Sequence, residues 1–190
     1  MLKFLNKDPK QKAMVLFVIK AVLLYIIWFI SYDYFIAPNQ KVDQYLNYRV
    51  ATDAGYILDI LGYDGSTQPG NAQTLVCIQN NAVVGVGNPC NGLELFILFA
   101  GFIVCFPGIW KNKWWFIIIG SIIIHFFNVL RTVALSLIQF KAPEYLDFNH
   151  HYTFTTLVYS IIFILWIFWT NRYSKLQELT QSSKSNENGK

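Results

Sequence analysis

The sequence predicts an all-α integral membrane protein: a four-helix transmembrane bundle with an extracytoplasmic amphipathic helix and a small hairpin in an outer loop. Charged residues make up 14% of the 190 residues and hydrophobic residues make up 54%. An average soluble domain carries roughly 25% charged residues. This composition excludes a soluble enzyme, a disordered chain and a collagen-like chain. Three cysteines are too few for a disulfide scaffold.

Four apolar windows come close to the roughly 20 residues that a helix needs to cross a bilayer. They are Met14–Ile36, Leu93–Trp110, Trp114–Ile138 and Tyr152–Thr170. With their flanks they predict spans at about 14–36, 91–110, 114–140 and 152–173 in one transmembrane domain, 14–173. Residues 1–13 are predicted to be a basic tail and residues 174–190 a polar, disordered tail.

Basic residues predict which side of the membrane each connection faces. Lysines and arginines concentrate in the two tails and in the turn after the second window, where Lys111 and Lys113 lie. By the positive-inside rule these parts are cytoplasmic, so the loops Ala37–Cys90 and Phe140–His151 face outward. The net charge of +4 therefore reflects membrane orientation and does not indicate nucleic-acid binding.

The outer loop Ala37–Cys90 is too long to be a simple connection. Its first half places apolar residues three or four positions apart, which predicts one face of an amphipathic helix: Val42, Leu46, Val50, Ala54, Ile57 and Leu61. Turn signals at Gly65-Ser66 and Pro69-Gly70 precede two strand-like segments, Thr74–Ile78 and Ala82–Val86. These segments predict a hairpin, and we expect the whole loop to cap an outward-facing cavity.

Three chemically active side chains converge on the outer leaflet in this topology. Cys90 stands where the outer loop enters the second window, and His150 and His151 open the fourth. Arg131 lies inside the third window, about 10 Å from its outer end at 1.5 Å per residue. A thiol, a guanidinium and an imidazole thus reach one region from three separate segments.

Each of these groups has a chemical reason to act there. The helix amino terminus that follows Cys90 stabilises a thiolate through its unpaired N–H groups and its dipole. A histidine within reach takes the thiol proton and later protonates a leaving amine. Arg131 is costly in hydrocarbon, and a role in binding a developing oxyanion would explain its position. Asn128 shares a helix face with Arg131, and Glu94 shares one with Cys90, so either can hold the arginine or the histidine.

Structural interpretations of the same residues stay open at this stage. Cys90 can pair with Cys77 in a disulfide, and Arg131 can pair with Glu94 inside the bundle. His125 is expected to be a hydrogen-bonded core histidine, and the adjacent histidine pair also suits a membrane interface. The sequence has neither a CxxC nor an HExxH spacing, so no metal or organic cofactor is implied.

The order of these motifs resembles the exosortase/archaeosortase family of membrane cysteine transpeptidases. The residues that carry the resemblance are Asn88–Glu94, which includes Cys-Asn-Gly, then Asn128–Arg131, and then Asp147–Phe154. The short chain and the Cys-Asn-Gly-Leu-Glu variant are similar to the exosortase F type. The similarity covers about Cys90–Tyr159.

The resemblance implies that Cys90 is the nucleophile and that Arg131 positions the oxyanion or the substrate. Asn91 and Gly92 belong to the same motif as supporting residues. It also implies a histidine as general base. The family's aromatic residue eight positions after the base matches Tyr159 if the base is His151, and His150 stays the alternative.

The implied substrates are secreted proteins with a carboxy-terminal sorting signal, which consists of a short motif, a transmembrane helix and a basic cluster. The enzyme would cleave this signal at the outer face of a bacterial inner membrane through a thioester and pass the protein to a surface nucleophile or to water. Its partners would then be these substrates and the lipid bilayer, with the active site facing the periplasm. Two other classes stay open: a four-helix membrane thiol–disulfide redox protein and a non-enzymatic membrane scaffold subunit.

Overall fold

The computed structural model describes residues 9–173, so the predicted tail 174–190 and the first eight residues of the predicted tail 1–13 lie outside the described residues. The described chain is mostly helical. Its main helices are α1 (Pro9–Ser31), α2 (Lys41–Ile60), α3 (Leu93–Cys105), α4 (Trp110–Lys141) and α5 (Phe154–Arg172). A three-stranded sheet between α2 and α3 consists of β1 (Gly65–Pro69), β2 (Thr74–Ile78) and β3 (Asn81–Val86).

Two of the long helices contain a π-helical turn. The first helix continues from α1 through the π-helical turn Tyr32–Ile36 to Asn39, and the left-handed backbone of Gln40 (φ 53°) ends it. The last helix starts with the 3₁₀ turn Pro143–Tyr145 and passes through the π-helical turn Asn149–Thr153 before α5 begins. Single π-helical turns inside α-helices occur frequently at functional sites.

Three helices in the described residues are long and apolar enough to cross a membrane. They are Gln11–Asn39, Trp110–Lys141 and Pro143–Arg172, which confirms the first, third and fourth predicted spans as helices. The second predicted span is shorter than expected: its helix, α3, has 13 residues. At 1.5 Å per residue α3 is about 20 Å long, which is less than the roughly 30 Å of the hydrocarbon core.

Pro107 accounts for the early end of α3. A proline disfavours helical backbone at the residue before it, and Phe106 is extended with φ −72° and ψ 143°. The buried Lys113 then completes the helix end, because its Nζ donates to the carbonyl of Val104 at 2.7 Å. The same ammonium lies 4.8 Å from the ring centroid of Trp110. Lys113, which the charge pattern places in a cytoplasmic turn, therefore caps the carboxy-terminal end of α3.

The predicted amphipathic helix is confirmed as α2, but its buried face differs from the predicted one. Val42 is 44% exposed and Leu61 is 54% exposed. The buried stripe instead consists of Asp43, Asn47, Val50, Ala51, Ala54, Gly55 and Leu58. Its apolar part packs against Val129 and Val133 of α4 and against the sheet. The two polar members stay buried because each has a hydrogen-bond partner near the site described below.

The predicted hairpin is part of a three-stranded antiparallel sheet with the order β1-β2-β3. β2 has the predicted bounds, and β3 begins one residue earlier than predicted. β1 was not predicted, because the dipeptides at its two ends, Gly65-Ser66 and Pro69-Gly70, are typical of turns. It forms a strand because it pairs antiparallel with β2 from Gly65 to Pro69. Gly65 also lies directly on the backbone of α2, where an added Cβ would collide with the Gly55 carbonyl oxygen and lie 2.7 Å from Leu58 Cβ.

The close approach of β1 to α2 can be tested by adding a methyl group. We expect Gly65→Ala to lower the free energy of unfolding by about 1–3 kcal/mol, because the new methyl must displace backbone atoms. The measurement is the apparent melting temperature in detergent, followed as loss of the monodisperse chromatographic peak after heating. Gly87→Ala is the control, because the nearest atoms to a Cβ there are 3.9 Å away. Equal melting temperatures for the two variants would contradict this packing.

Candidate active site

Cys90 lies at the end of a short turn that leads into α3. It closes the 3₁₀ turn Asn88–Cys90, in which its N–H donates to the carbonyl of Gly87 at 2.8 Å. Gly92, the N-cap of α3, has a left-handed backbone with φ 85°, a conformation that favours glycine. The side chain of Asn91 accepts a hydrogen bond from the N–H of Leu93 at 2.8 Å. The Cys-Asn-Gly sequence therefore builds the tight entry into α3.

Buried polar side chains from other helices hold this turn in place. The Asn91 amide donates to the Asp43 carboxylate at 2.7 Å, and the Asn128 amide donates to the carbonyl of Cys90 at 3.0 Å. Asp43, Asn91 and Asn128 are each at most 1% exposed. The hydroxyl of Tyr32 donates to the second oxygen of Asp43 at 3.3 Å. Helices α2 and α4 are thus both hydrogen-bonded to the turn that carries the cysteine.

The sequence analysis missed Asp43, Tyr32 and the pair formed by Asn47 and Asn88. The amide of Asn47 donates to the side-chain oxygen of Asn88 at 3.3 Å. A signal for two of these residues was present, since Asp43 and Asn47 are four positions apart and continue the apolar stripe of α2. Polar residues at such positions indicate buried hydrogen bonds rather than a solvent face.

Cys90, Arg131 and His150 meet in one partly buried site. The Cys90 Sγ lies 3.5 Å from His150 Nε2, and Arg131 Nη2 lies 3.6 Å from the same sulfur. Arg131 Nη2 also lies 3.3 Å from His150 Nε2. Because a guanidinium only donates, Nε2 accepts this hydrogen bond and the neutral ring carries its proton on Nδ1. The thiol therefore faces an unprotonated ring nitrogen.

The neighbouring His151 points away from the sulfur. Its Nδ1 lies 3.1 Å from both the carbonyl oxygen and the Oδ1 of Asp147, and its side chain is 62% exposed. The two imidazole planes are 84° apart. The structure thus places His150 at the cysteine, whereas the aromatic spacing of the family resemblance favoured His151. The π-helical turn that contains both residues sets these directions, and the hydroxyl of Thr155 donates to the His150 carbonyl at 3.1 Å.

The guanidinium of Arg131 keeps an unused donor. Its Nε is buried without a hydrogen-bond partner, and across residues 9–173 no carboxylate oxygen lies within 4.0 Å of Arg131. Glu94 is exposed on α3, so the alternative in which it pairs with Arg131 is not formed. Arg131 is a partly buried cation that contacts a sulfur and an imidazole without a counter-ion, and such a group is suited to binding an anionic oxygen.

The remaining cysteine and histidine side chains are occupied or buried elsewhere. All three cysteines lie in the described part of the chain and are free. Cys77 is fully buried in β2, and burial raises the pKa of its thiol. His125 is hydrogen-bonded to Asp53 at 2.9 Å as expected, but its side chain is 32% exposed, so it is not a core histidine. Within residues 9–173 no group of three or more histidine, cysteine or acidic side chains is arranged to hold a metal ion.

An apolar groove begins close to the site, between α1, α3 and α5. Its volume is about 600 Å³, and its walls are mainly aliphatic and aromatic, including Phe102 stacked on Trp166 with a centroid distance of 4.4 Å. Its polar lining includes Tyr32, which binds Asp43 at the Cys90 turn, and Glu94, one helical turn after Cys90. The groove therefore runs from the neighbourhood of the cysteine along the apolar helices.

A protein-family match covers most of the chain. Residues 11–169 match the family described as Transmembrane exosortase (Exosortase_EpsH). The chain therefore belongs to the transmembrane exosortase family, and it is a multi-pass membrane protein. No curated protein and no solved structure shows a significant match to it.

The environments of the three cysteines predict different reactivities. We expect a water-soluble maleimide to label Cys90 at least about tenfold faster than Cys77, because Cys77 is fully buried and burial raises the pKa of its thiol, whereas Cys90 is partly exposed. The measurement is the labelled mass of the full-length protein in detergent over time. The control is the double variant Cys77→Ser and Cys105→Ser, which should keep the fast phase, whereas Cys90→Ala should remove it. A fast phase that survives in Cys90→Ala would contradict this assignment.

Proposed function

We propose that this transmembrane exosortase is a membrane cysteine transpeptidase of the exosortase F type, which cleaves the carboxy-terminal sorting signal of secreted proteins. The observation that carries the proposal is the mutual contact of Cys90, His150 and Arg131 at 3.3–3.6 Å. These residues come from three separate segments, and apolar packing alone requires none of them. A nucleophile, a base and a cation within contact distance are the groups that acyl transfer through a thioester needs.

The proposed topology has four crossings with both termini in the cytoplasm. Three helices are long enough to cross, and α3 supplies about 20 Å. The four residues 106–109 between α3 and α4 can add up to about 13 Å if extended. The helix α3 and the segment 106–109 together reach the thickness of the hydrocarbon core. Backbone groups in the membrane need hydrogen-bond partners, and Lys113 donates to a carbonyl at the end of α3. Cys90 then faces the periplasmic side, with α2 and the sheet outside the membrane.

Nucleophilic attack begins with proton transfer from the thiol of Cys90 to His150 Nε2. The sulfur then forms a bond to the carbonyl carbon of the scissile peptide, and the carbonyl electron pair moves to its oxygen. Once His150 Nε2 is protonated it no longer accepts from Arg131, so Arg131 Nη2, which lies beside the sulfur, donates to this oxyanion instead. Because this nitrogen is already at the site, it needs little reorganisation as the charge develops.

Collapse of the tetrahedral intermediate releases the membrane tail. The C–N bond breaks, His150 gives its proton to the leaving nitrogen, and the tail departs with a new amino terminus. The secreted protein is now a thioester on Cys90. An amine of a surface acceptor or a water molecule gives a proton to His150 and attacks the thioester carbon, and the regained proton returns to the sulfur. No oxidant or reductant is needed.

The apolar groove provides a place for the hydrophobic part of the sorting signal. A substrate helix that lies against α1, α3 and α5 would bury its apolar side chains among aromatic residues of the groove. Since Glu94 and Tyr32 lie at the end near the Cys90 turn, the residues that precede this helix in the substrate would reach the sulfur. The basic cluster after the helix would stay at the cytoplasmic face.

Co-expression with a substrate tests the proposal directly. The probe is a secreted protein from the same organism whose carboxy terminus combines an apolar span with a basic cluster. We expect the intact enzyme to remove the tail, seen as a mass decrease and as loss of the tail's epitope tag. Cys90→Ala should leave the substrate full length. Cleavage that continues in the Cys90→Ala strain would contradict the proposal.

The adjacent histidines provide a matched pair of variants. His150→Ala is expected to slow tail removal by about 10²–10⁴-fold, because the general base and acid is lost. His151→Ala should change the rate less than about threefold, because its side chain is exposed and pairs with Asp147. The measurement is the initial rate of cleavage at equal enzyme levels in membranes. Equal losses in both variants would exclude His150 as the specific base.

A further inference from the structure

β3 presents an unpaired edge beside the proposed catalytic residues. In the sheet of the described chain the strand order is β1-β2-β3, so β3 hydrogen-bonds to β2 on one side only. The strand ends at Val86, and Cys90 follows after one short turn. An edge strand offers a row of N–H and C=O groups, and their natural complement is another extended backbone.

A cavity of about 360 Å³ lies along this edge. It is lined by Val83, Val84 and Gly85 of β3, by Leu135 of α4, and by four residues between α4 and α5: Pro143, Leu146, Asp147 and His150. Side chains alternate between the two faces of a strand, so three consecutive lining residues show that the cavity follows the strand edge rather than one face. His150 also contacts the Cys90 sulfur at 3.5 Å, so the imidazole lies between the cavity and the nucleophile.

The two edges of the sheet differ in how they are protected. Proteins block exposed edges with proline, with charged residues or with very short strands. The outer strand β1 ends in Pro69, which cannot donate a ladder hydrogen bond. β3 has the sequence Asn-Ala-Val-Val-Gly-Val, with neither a charge nor a proline, and its first two residues are exposed. The edge beside the catalytic residues is therefore the one that is left able to pair.

We propose that the substrate residues immediately before the scissile bond bind as a fourth strand along β3. This inference rests on the proposed function and adds to it the mode of peptide recognition. The substrate's transmembrane tail follows the scissile bond, so it extends toward the membrane groove, and the preceding residues extend toward the sheet. Backbone pairing supplies affinity, and one side chain enters the cavity. Its valine, leucine and proline walls favour the apolar part of a small or medium side chain, and Asp147 and His150 add two polar groups to the lining.

Photo-cross-linking tests this arrangement in the full-length Cys90→Ala enzyme, which retains substrate. The photoreactive residue p-benzoylphenylalanine replaces Val84 in one variant and Ala82 in another, and it replaces the exposed Gln68 on β1 as the control. The probe is the same tail-bearing secreted protein. We expect at least about tenfold more cross-linked substrate from β3 than from β1. Mass spectrometry should locate the cross-link in the residues just before the cleavage site.

The outcomes separate this inference from the proposed function. If neither β3 position exceeds Gln68 while the enzyme with intact Cys90 cleaves the same probe, strand addition is wrong and the transpeptidase proposal stands. If the cross-link maps to the transmembrane tail, the substrate runs in the opposite direction and this inference is also wrong. If the intact enzyme does not cleave the probe, the proposed function fails and the inference fails with it.

Discussion

The geometry of the site depends on hydrogen bonds made by buried polar side chains. Asp43, Asn91 and Asn128 are almost completely removed from solvent, and an unpaired polar group in such a place costs about 1–3 kcal/mol or more. The carboxylate of Asp43 accepts from Asn91, and the amide nitrogen of Asn128 donates to the carbonyl of Cys90, while the Oδ1 of Asn128 is buried without a partner. Sliding α2 or α4 past the turn would break these bonds. The sulfur is therefore fixed relative to α4, which also carries Arg131, one helical turn after Asn128.

Backbone irregularities direct two of the side chains around this centre. The π-helical turn Tyr32–Ile36 belongs to the same helix as the tyrosine that binds Asp43, and the π-helical turn Asn149–Thr153 contains both histidines. A wider turn changes the direction of the residues that it contains relative to a regular α-helix. This explains why His150 contacts Cys90 and Arg131 while its neighbour His151 contacts Asp147.

Much of the fold follows from periodicity, and the failures have identifiable physical causes. Hydropathy predicted four spans, of which three are long helices and the second is the shorter α3, and the strand-like segment Thr74–Ile78 predicted β2 at its observed bounds. The predicted face of α2 was partly right, since Val50 and Ala54 are buried, but it missed Asp43 and Asn47, because an apolar pattern does not reveal polar residues that are buried with partners. The grouping of Cys90 and Arg131 followed from the topology. The choice between His150 and His151 did not, because it depends on a π-helical turn that leaves no pattern in the sequence.

The site stands between two surfaces of opposite character, and this arrangement matches the two parts of a tail-anchored substrate. On one side, the groove of α1, α3 and α5 offers apolar and aromatic walls, which bind side chains of a hydrophobic helix but no extended backbone. On the other side, the β3 edge offers backbone hydrogen-bonding groups, which bind an extended peptide and not a helix. A chain that is helical in the membrane and extended beyond it must change conformation between the two. In the proposed complex the scissile bond would lie at that change, because Cys90 contacts His150, which lines the β3 cavity, and Glu94, four residues after Cys90, lines the groove.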